Sequence, residues 1–185
     1  MKEISLNILD VADNSYSAGA SLVEISILID TAANLMKVVI ADNGCGMSKE
    51  FLASVTDPFT TTRTTRRVGM GLPLFKESAE LTGGSFHIES EKGVGTTVTA
   101  KYVLDSIDRM PLGDLGGTVT LLISKNDEVR LLFKVTVDND AFTFDTLEVR
   151  QIIGEVSFAE PEIMMFLRDY VNSGIQEIIG GREII

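Results

Sequence analysis

Residues 57–84 read DPFTTTRTTRRVGMGLPLFKESAELTGG, and the order of the parts in this stretch decides how the rest of the chain is read. Asp57-Pro58 makes a rigid turn. The eight residues Thr60–Arg67 comprise five Thr and three Arg, with no acid among them. Gly69-Met70-Gly71 then opens a helix whose apolar positions are Leu72, Leu74, Phe75, Ala79 and Leu81. A basic, hydroxyl-rich loop feeding a glycine-started helix suits a phosphate. The N–H groups of the first helical turn are free, the helix dipole favours an anion, and glycine lets backbone approach closely. Many helices begin with glycine for steric reasons alone, so the stretch needs support from elsewhere in the chain.

Upstream, residues 2–17 (KEISLNILDVADNSYS) carry Ile4, Ile8, Val11 and Ala12 at helical spacing, and Gly19 is a stop signal. Asp10 and Asn14 are one turn apart on the same face, and Asp13 joins them in a polar stripe whose plainest reading is a solvent-facing surface. Leu22–Ile29 alternates like a strand, Thr31–Leu35 turns, and Met36–Ala41 is an almost wholly apolar, central strand. Its exit, Asp42-Asn43-Gly44-Cys45-Gly46-Met47, is a tight turn. Asp42 there either caps the turn or accepts a hydrogen bond from a ligand amine. Ser48 is placed to cap a helix over 49–55. Downstream, Ser85–Ser90 and Gly95–Val103 read as strands joined by Glu91-Lys92-Gly93. The expected fold is α+β: a two-layer sandwich with helices on one face of a mixed sheet.

A length of 185 residues allows one domain with an extension or two small ones, and 44% hydrophobic with 23% charged residues is an ordinary globular composition. No apolar run reaches the ~20 residues of a membrane span, there is no signal-peptide pattern, and a single cysteine, Cys45, excludes an internal disulfide. The expectation is a cytoplasmic protein without a membrane partner. The net charge of −11 argues against nucleic acid as a partner. Residues 1–104 hold 9 Lys/Arg against 12 Asp/Glu, whereas residues 105–185 hold 7 against 15. The first part therefore costs less to bring near a polyanion, and the second reads as an acidic solvated or docking surface.

Four motifs in this order resemble those of the histidine-kinase-like ATPases, the superfamily that includes DNA gyrase, MutL and the sensor kinases and is built on the Bergerat nucleotide-binding fold. Asp10–Ala20 (DVADNSYSAGA) is similar to the E-L-x-x-N-S-x-D-A-G-A pattern of MutL-type members. Asp42–Met47 (DNGCGM) matches D-x-G-x-G. Asp57–Leu72 is similar to the D-P-F-x-T-T-K…G-x-G-L segment of sensor kinases, with Arg63 replacing the Lys, and Gly93–Val98 (GVGTTV) is similar to the final G-x-G-T box. The resemblance covers about residues 1–104.

By resemblance, Asn14 would ligate Mg2+ through its side-chain oxygen, a hard donor for a hard cation. Asp42 would accept from the adenine amine of ATP. Gly44 and Gly46 would let backbone pass close to the base, and Met47 would contact it. Thr60–Arg67, including Thr61, Thr62 and Arg63, would form the ATP lid. Gly69, Met70, Gly71 and Leu72 would offer N–H groups to the phosphates, and Thr96 would bond near Asp42 and the adenine.

Three departures qualify this picture. Asp10 stands where hydrolytic members carry a Glu base, one methylene shorter, so hydrolysis is expected to be slow or absent. The chain begins at the helix of the first motif, with no phosphoacceptor helix before it, and the only histidine, His87, reads as a structural strand residue. A self-contained sensor kinase is therefore not expected. Cys45 reads as a small filler beside the base pocket rather than a redox site.

Asp105–Gly117 reads as a connector between a 1–104 ATP-binding domain and a 105–185 extension. In that extension Thr118–Ile123 and Val129–Val137 read as a β-hairpin, and Asp138-Asn139-Asp140 as an acidic turn more readily than a metal site. Asp145 is placed to cap a helix over 146–153, and Ala159–Ile179 reads as a longer helix with Pro161 in its first turn. The expected function is binding of ATP·Mg2+ as a nucleotide-dependent switch on a protein partner, or within a homodimer. The alternatives are a protein kinase acting in trans or a slow ATPase with Asp10 as base, and a degenerate scaffold that no longer binds nucleotide.

Overall fold

The computed structural model describes residues 3–55 and 71–182. Helix α1 (Ile4–Ser17) forms on the apolar stripe of Ile4, Ile8, Val11 and Ala12, and all four are buried. Its first free N–H groups are met by the chain further on: Ile4 donates to the Pro111 carbonyl at 3.0 Å and Ser5 to that of Leu112 at 2.8 Å. Strands β1 (Leu22–Asp30) and β2 (Leu35–Asp42) pair antiparallel. The short helix α2 (Lys49–Ser54) follows, capped by Ser48, whose hydroxyl accepts from the Phe51 N–H at 3.2 Å. Helix α3 (Gly71–Leu81) leads into β3 (Ser85–Glu91) and β4 (Gly95–Val103). The remainder is α4 (Leu115–Ile123), β5 (Arg130–Val137), β6 (Asp140–Asp145), α5 (Thr146–Ile153) and α6 (Pro161–Ile179).

The strands form one six-stranded sheet in the order β3-β4-β2-β1-β5-β6. It is mixed, because β1 and β5 run parallel while the other neighbours are antiparallel. Strand periodicity fixes what each face does. In β1, Val23, Ile25, Ile27 and Ile29 are buried while Glu24 and Leu28 are exposed. The same alternation buries Leu131, Phe133, Val135 and Val137 in β5 and leaves Arg130 and Lys134 outside. The buried face takes the helices, with α1 packed against both α3 and α4, and α4 against α6. This is the expected α+β layering, with the helices on one side of a mixed sheet. Among the described residues no helix is long and apolar enough to cross a membrane.

One expected element is different. Residues 118–123 are not a strand but the body of α4. Asp114 caps that helix, its carboxylate accepting from the Gly117 N–H at 2.8 Å, and Arg168 and Asn172 of α6 hold the same carboxylate. The misreading has a physical cause. Helix α4 is wedged between α1 and α6, so Thr118, Val119, Thr120, Leu122 and Ile123 are all buried. A short helix buried nearly all round presents a continuous apolar run, which periodicity alone cannot tell from a buried strand. The hairpin of this region is formed instead by β5 and β6 across the Asp138–Asn139 turn. Asp145 does cap α5, accepting from the Leu147 N–H at 2.9 Å. The Arg130 guanidinium, bonded to both oxygens of Asp145 at 3.0 and 2.5 Å, holds that carboxyl below the ordinary range.

Phe133 joins the two halves of the sheet. It is fully buried, opposite Ile25 of β1 on one side and Phe144 of β6 on the other. Phe133→Ala is expected to lower the unfolding free energy by about 3–5 kcal/mol in urea, followed by circular dichroism as one transition. A loss of less than about 1 kcal/mol would contradict this packing.

Candidate functional site

The site grows from the exit of β2. Asp42 is the last residue of that strand, and donors from two elements hold its carboxylate. Oδ2 accepts from the Ser15 hydroxyl at 2.7 Å, and Oδ1 from the Gly44 N–H at 2.9 Å. Ser15 is itself buried in the last turns of α1. A carboxylate has about four lone-pair positions, so these two bonds orient Asp42 while leaving acceptor capacity for a ligand.

The loop after Asp42 is tied at every step. The Asn43 side-chain oxygen accepts from the N–H groups of Ser21 and Leu22, both at 2.9 Å, and its amide donates to the Ser21 hydroxyl at 2.9 Å. The Cys45 N–H donates to the Ala18 carbonyl at 3.0 Å, and the Cys45 carbonyl accepts from the Gly93 N–H at 2.8 Å. Two glycines are needed for this closeness. At Gly46, φ is +60° and a Cβ would stand 2.0 Å from the Glu91 carbonyl oxygen; at Gly95, φ is +145° and a Cβ would stand 1.9 Å from the carbonyl oxygen of Asp42. Thr96 lies opposite Asp42 across β2 and β4, and Ser90 lies opposite Thr96 across β3 and β4.

These elements enclose a cavity of about 520 Å3. Asn14, Asp42 and Thr96 bring polar groups to it, and Val11, Ile40, Met47, Leu72 and Val98 supply an apolar lining. The size and the few convergent polar groups are those of a small-molecule site. Of the residues singled out from sequence, Asn14, Asp42, Gly46, Met47, Leu72 and Thr96 meet here. Gly44 is buried behind Asp42, where a Cβ would crowd both Ala18 and the Asp42 carboxylate. Asp10 is exposed one turn from Asn14, and it packs against Gly71 at the start of α3. Thr61, Thr62, Arg63, Gly69 and Met70, with the rest of 56–70, lie outside the described residues.

Other side chains weighed from sequence fall elsewhere or add little. Cys45 is exposed at the cavity rim. His87 is exposed on the open face of β3, 3.1 Å from Glu89. Asp138 accepts from the Thr31 N–H at 2.8 Å and is paired with Arg182, and the Thr31 bonds lower its carboxyl pKa. Among the described residues no group of three or more His, Cys, Asp or Glu could hold a metal. Asp13, from the polar stripe of α1, pairs with Lys125.

Three residues that hold the site were missed in the sequence: Ser15, Asn43 and Ser90. Ser15 and Asn43 stand inside motifs already singled out, beside Asn14 and Asp42, so their signal was adjacency. Ser90 carried only its phase in β3, shared with Phe86 and Ile88.

Comparisons with known proteins bear on the family and the fold. Residues 1–106 match the family described as histidine kinase-, DNA gyrase B-, and HSP90-like ATPase. The chain is 33% identical over 105 residues to the Non-motile and phage-resistance protein of Caulobacter vibrioides, covering 54% of this chain and 12% of that protein. It is 37% identical over 99 residues to Sporulation kinase D of Bacillus subtilis, covering 54% of this chain and 19% of that one. The chain thus spans less than a fifth of the length of each of these two curated relatives. A crystal structure of the N terminal domain of a DNA repair protein shares the fold with a TM-score of 0.56 at 12% identity, over 98% of this chain and 58% of that one. A fold with its polar groups converging at the end of β2, and a family match over more than half the chain, lead to one conclusion: this chain belongs to the histidine kinase-, DNA gyrase B- and HSP90-like ATPase family.

Proposed function

We propose that the cavity binds ATP with Mg2+ and that the chain acts as a nucleotide-dependent switch on a protein partner or a second copy of itself. The observation that carries this reading is the oriented carboxylate of Asp42 beside an apolar cavity. Adenine would lie against Met47 and Val98, and its exocyclic amine would donate to Asp42. Mg2+ would be held by the Asn14 oxygen together with the nucleotide phosphates, since a hard cation of this kind commonly takes few protein ligands and keeps substrate oxygens and waters. The start of α3 at Gly71 and Leu72 would offer backbone N–H groups to the phosphates. In this reading residues 1–104 are the nucleotide-binding part. Residues 105–185 are the extension that passes the bound state on, and their acidic surface suits a protein partner better than nucleic acid.

A second reading, phosphoryl transfer in trans or slow hydrolysis, is favoured by the position of Asp10. It is exposed, one turn from Asn14 and beside Gly71, where it can meet a water or a hydroxyl near the phosphates. The kinase named among the relatives points the same way.

Two measurements test these readings. In calorimetry with ATP and MgCl2, the wild-type chain is expected to bind and Asp42→Asn to bind about tenfold more weakly or worse, because an amide offers one acceptor where a carboxylate offers two. No binding by the wild type, or unchanged binding by the variant, contradicts the ATP reading. In phosphate-release and radiolabel-transfer assays, Asp10→Asn is expected to lower any turnover by about 10²-fold or more while ATP affinity holds. Turnover that survives the substitution removes Asp10 as the base.

A further inference from the structure

The hydroxyl of Ser90 makes three contacts. Its Oγ lies 2.8 Å from the Met47 nitrogen, 3.0 Å from the Gly95 carbonyl oxygen and 2.8 Å from the Thr96 hydroxyl oxygen. Their directions follow from counting protons. The Met47 N–H can only donate and the Gly95 carbonyl can only accept. A hydroxyl has one proton, and Ser90 spends it on Gly95. The contact with Thr96 is then a hydrogen bond only if Thr96 is the donor. This is the one assignment that satisfies all three contacts at once. It turns the Thr96 proton away from the cavity and leaves only lone pairs on the cavity side. Asp42, opposite Thr96 in the sheet, likewise accepts from Ser15 and Gly44 and has nothing to donate.

We propose that Ser90 is a positioning residue that sets base selectivity, by making the wall formed by Asp42 and Thr96 accept hydrogen bonds and never donate them. Such a wall selects a purine with an amino group at its 6-position over one with an oxo group there. An oxo group at that position would find no donor on Asp42 or Thr96 and stay unpaired against them, which is how a buried polar site rejects a close analogue. The proposal rests on the reading that the cavity holds a purine nucleotide. It adds what enforces the choice of base, a residue two strands away from Asp42 in the sheet.

The test is titration of the full chain with ATP and with inosine triphosphate, whose base carries a 6-oxo acceptor and an N1–H donor where adenine carries a 6-amino donor and an N1 acceptor. Wild type is expected to prefer ATP by about tenfold or more. Ser90→Ala frees the Thr96 hydroxyl to turn and donate, and the preference is expected to fall by about tenfold, the worth of one hydrogen bond. Ser90→Thr, which keeps the hydroxyl, is expected to restore it. Thr96→Val should also lower the preference, and Ser90→Ala should change nothing further in that background. Thr96→Val supplies the test if Ser90→Ala does not fold. If Ser90→Ala weakens both nucleotides equally, Ser90 only anchors the loop at Met47, and the selectivity proposal is overturned while ATP binding stands. An unchanged preference in Thr96→Val overturns it as well. If the wild type binds both nucleotides alike, the selectivity proposal is overturned while ATP binding stands; if it binds neither, this proposal and the ATP reading fall together.

Discussion

A half-buried carboxylate beside an apolar cavity is stable only if donors meet its oxygens. Asp42 is met by the Ser15 hydroxyl and the Gly44 N–H, and much of the fold is arranged around that requirement. Helix α1 must end where Ser15 faces β2. The loop after Asp42 must fold back on itself for Gly44 to reach the side chain. The β3–β4 turn must come within van der Waals distance of both, which Gly46 and Gly95 permit and a Cβ at either would forbid. Loss of the Ser15 bond would leave the carboxylate free to turn, even with every other element in place.

The sheet carries this local arrangement outward. Strand β2 is central, between β4 with Thr96 and β1, and β1 pairs in turn with β5. Helix α1, which brings both Asn14 and Ser15, is bound at its other end to the later chain. Ile4 and Ser5 donate to carbonyls at 111 and 112, and the Thr118 hydroxyl of α4 donates to the Ser5 carbonyl at 3.2 Å. A shift of α1 on nucleotide binding would therefore be felt by α4 and, through their packing, by α6. That is a continuous physical route for the proposed switch, from the cavity to the acidic surface of residues 105–185.

Much of this was legible in the sequence, for reasons tied to particular residues. The alternation of β1 and β4 and the apolar run of β2 placed those three strands and set Asp42 at a strand exit. Asp145 announced α5 because a cap is a local signal, and Pro161 marked the start of α6 in the same way. Helix α4 was not legible as a helix. Its neighbours α1 and α6 bury it so completely that it lost the polar face by which a helix is read. The support of the site was also hidden. Ser15 and Ser90 are ordinary serines until sheet pairing and helix packing put Asp42 and Thr96 beside them, and their partners are 27 and 6 residues away. Hydrogen bonds formed by tertiary register leave almost no trace in local composition.

The central claim is that Asp42 takes the amine of an adenine base lying in the cavity between α1 and β4. A crystal structure of this chain with Mg2+ and a non-hydrolysable ATP analogue measures it most directly. The account predicts the exocyclic nitrogen within ~3.0 Å of an Asp42 carboxylate oxygen, the base against Met47 and Val98, and the magnesium within coordination distance of the Asn14 oxygen. A base bound elsewhere, or one in this cavity with its amine turned away from Asp42, would contradict it.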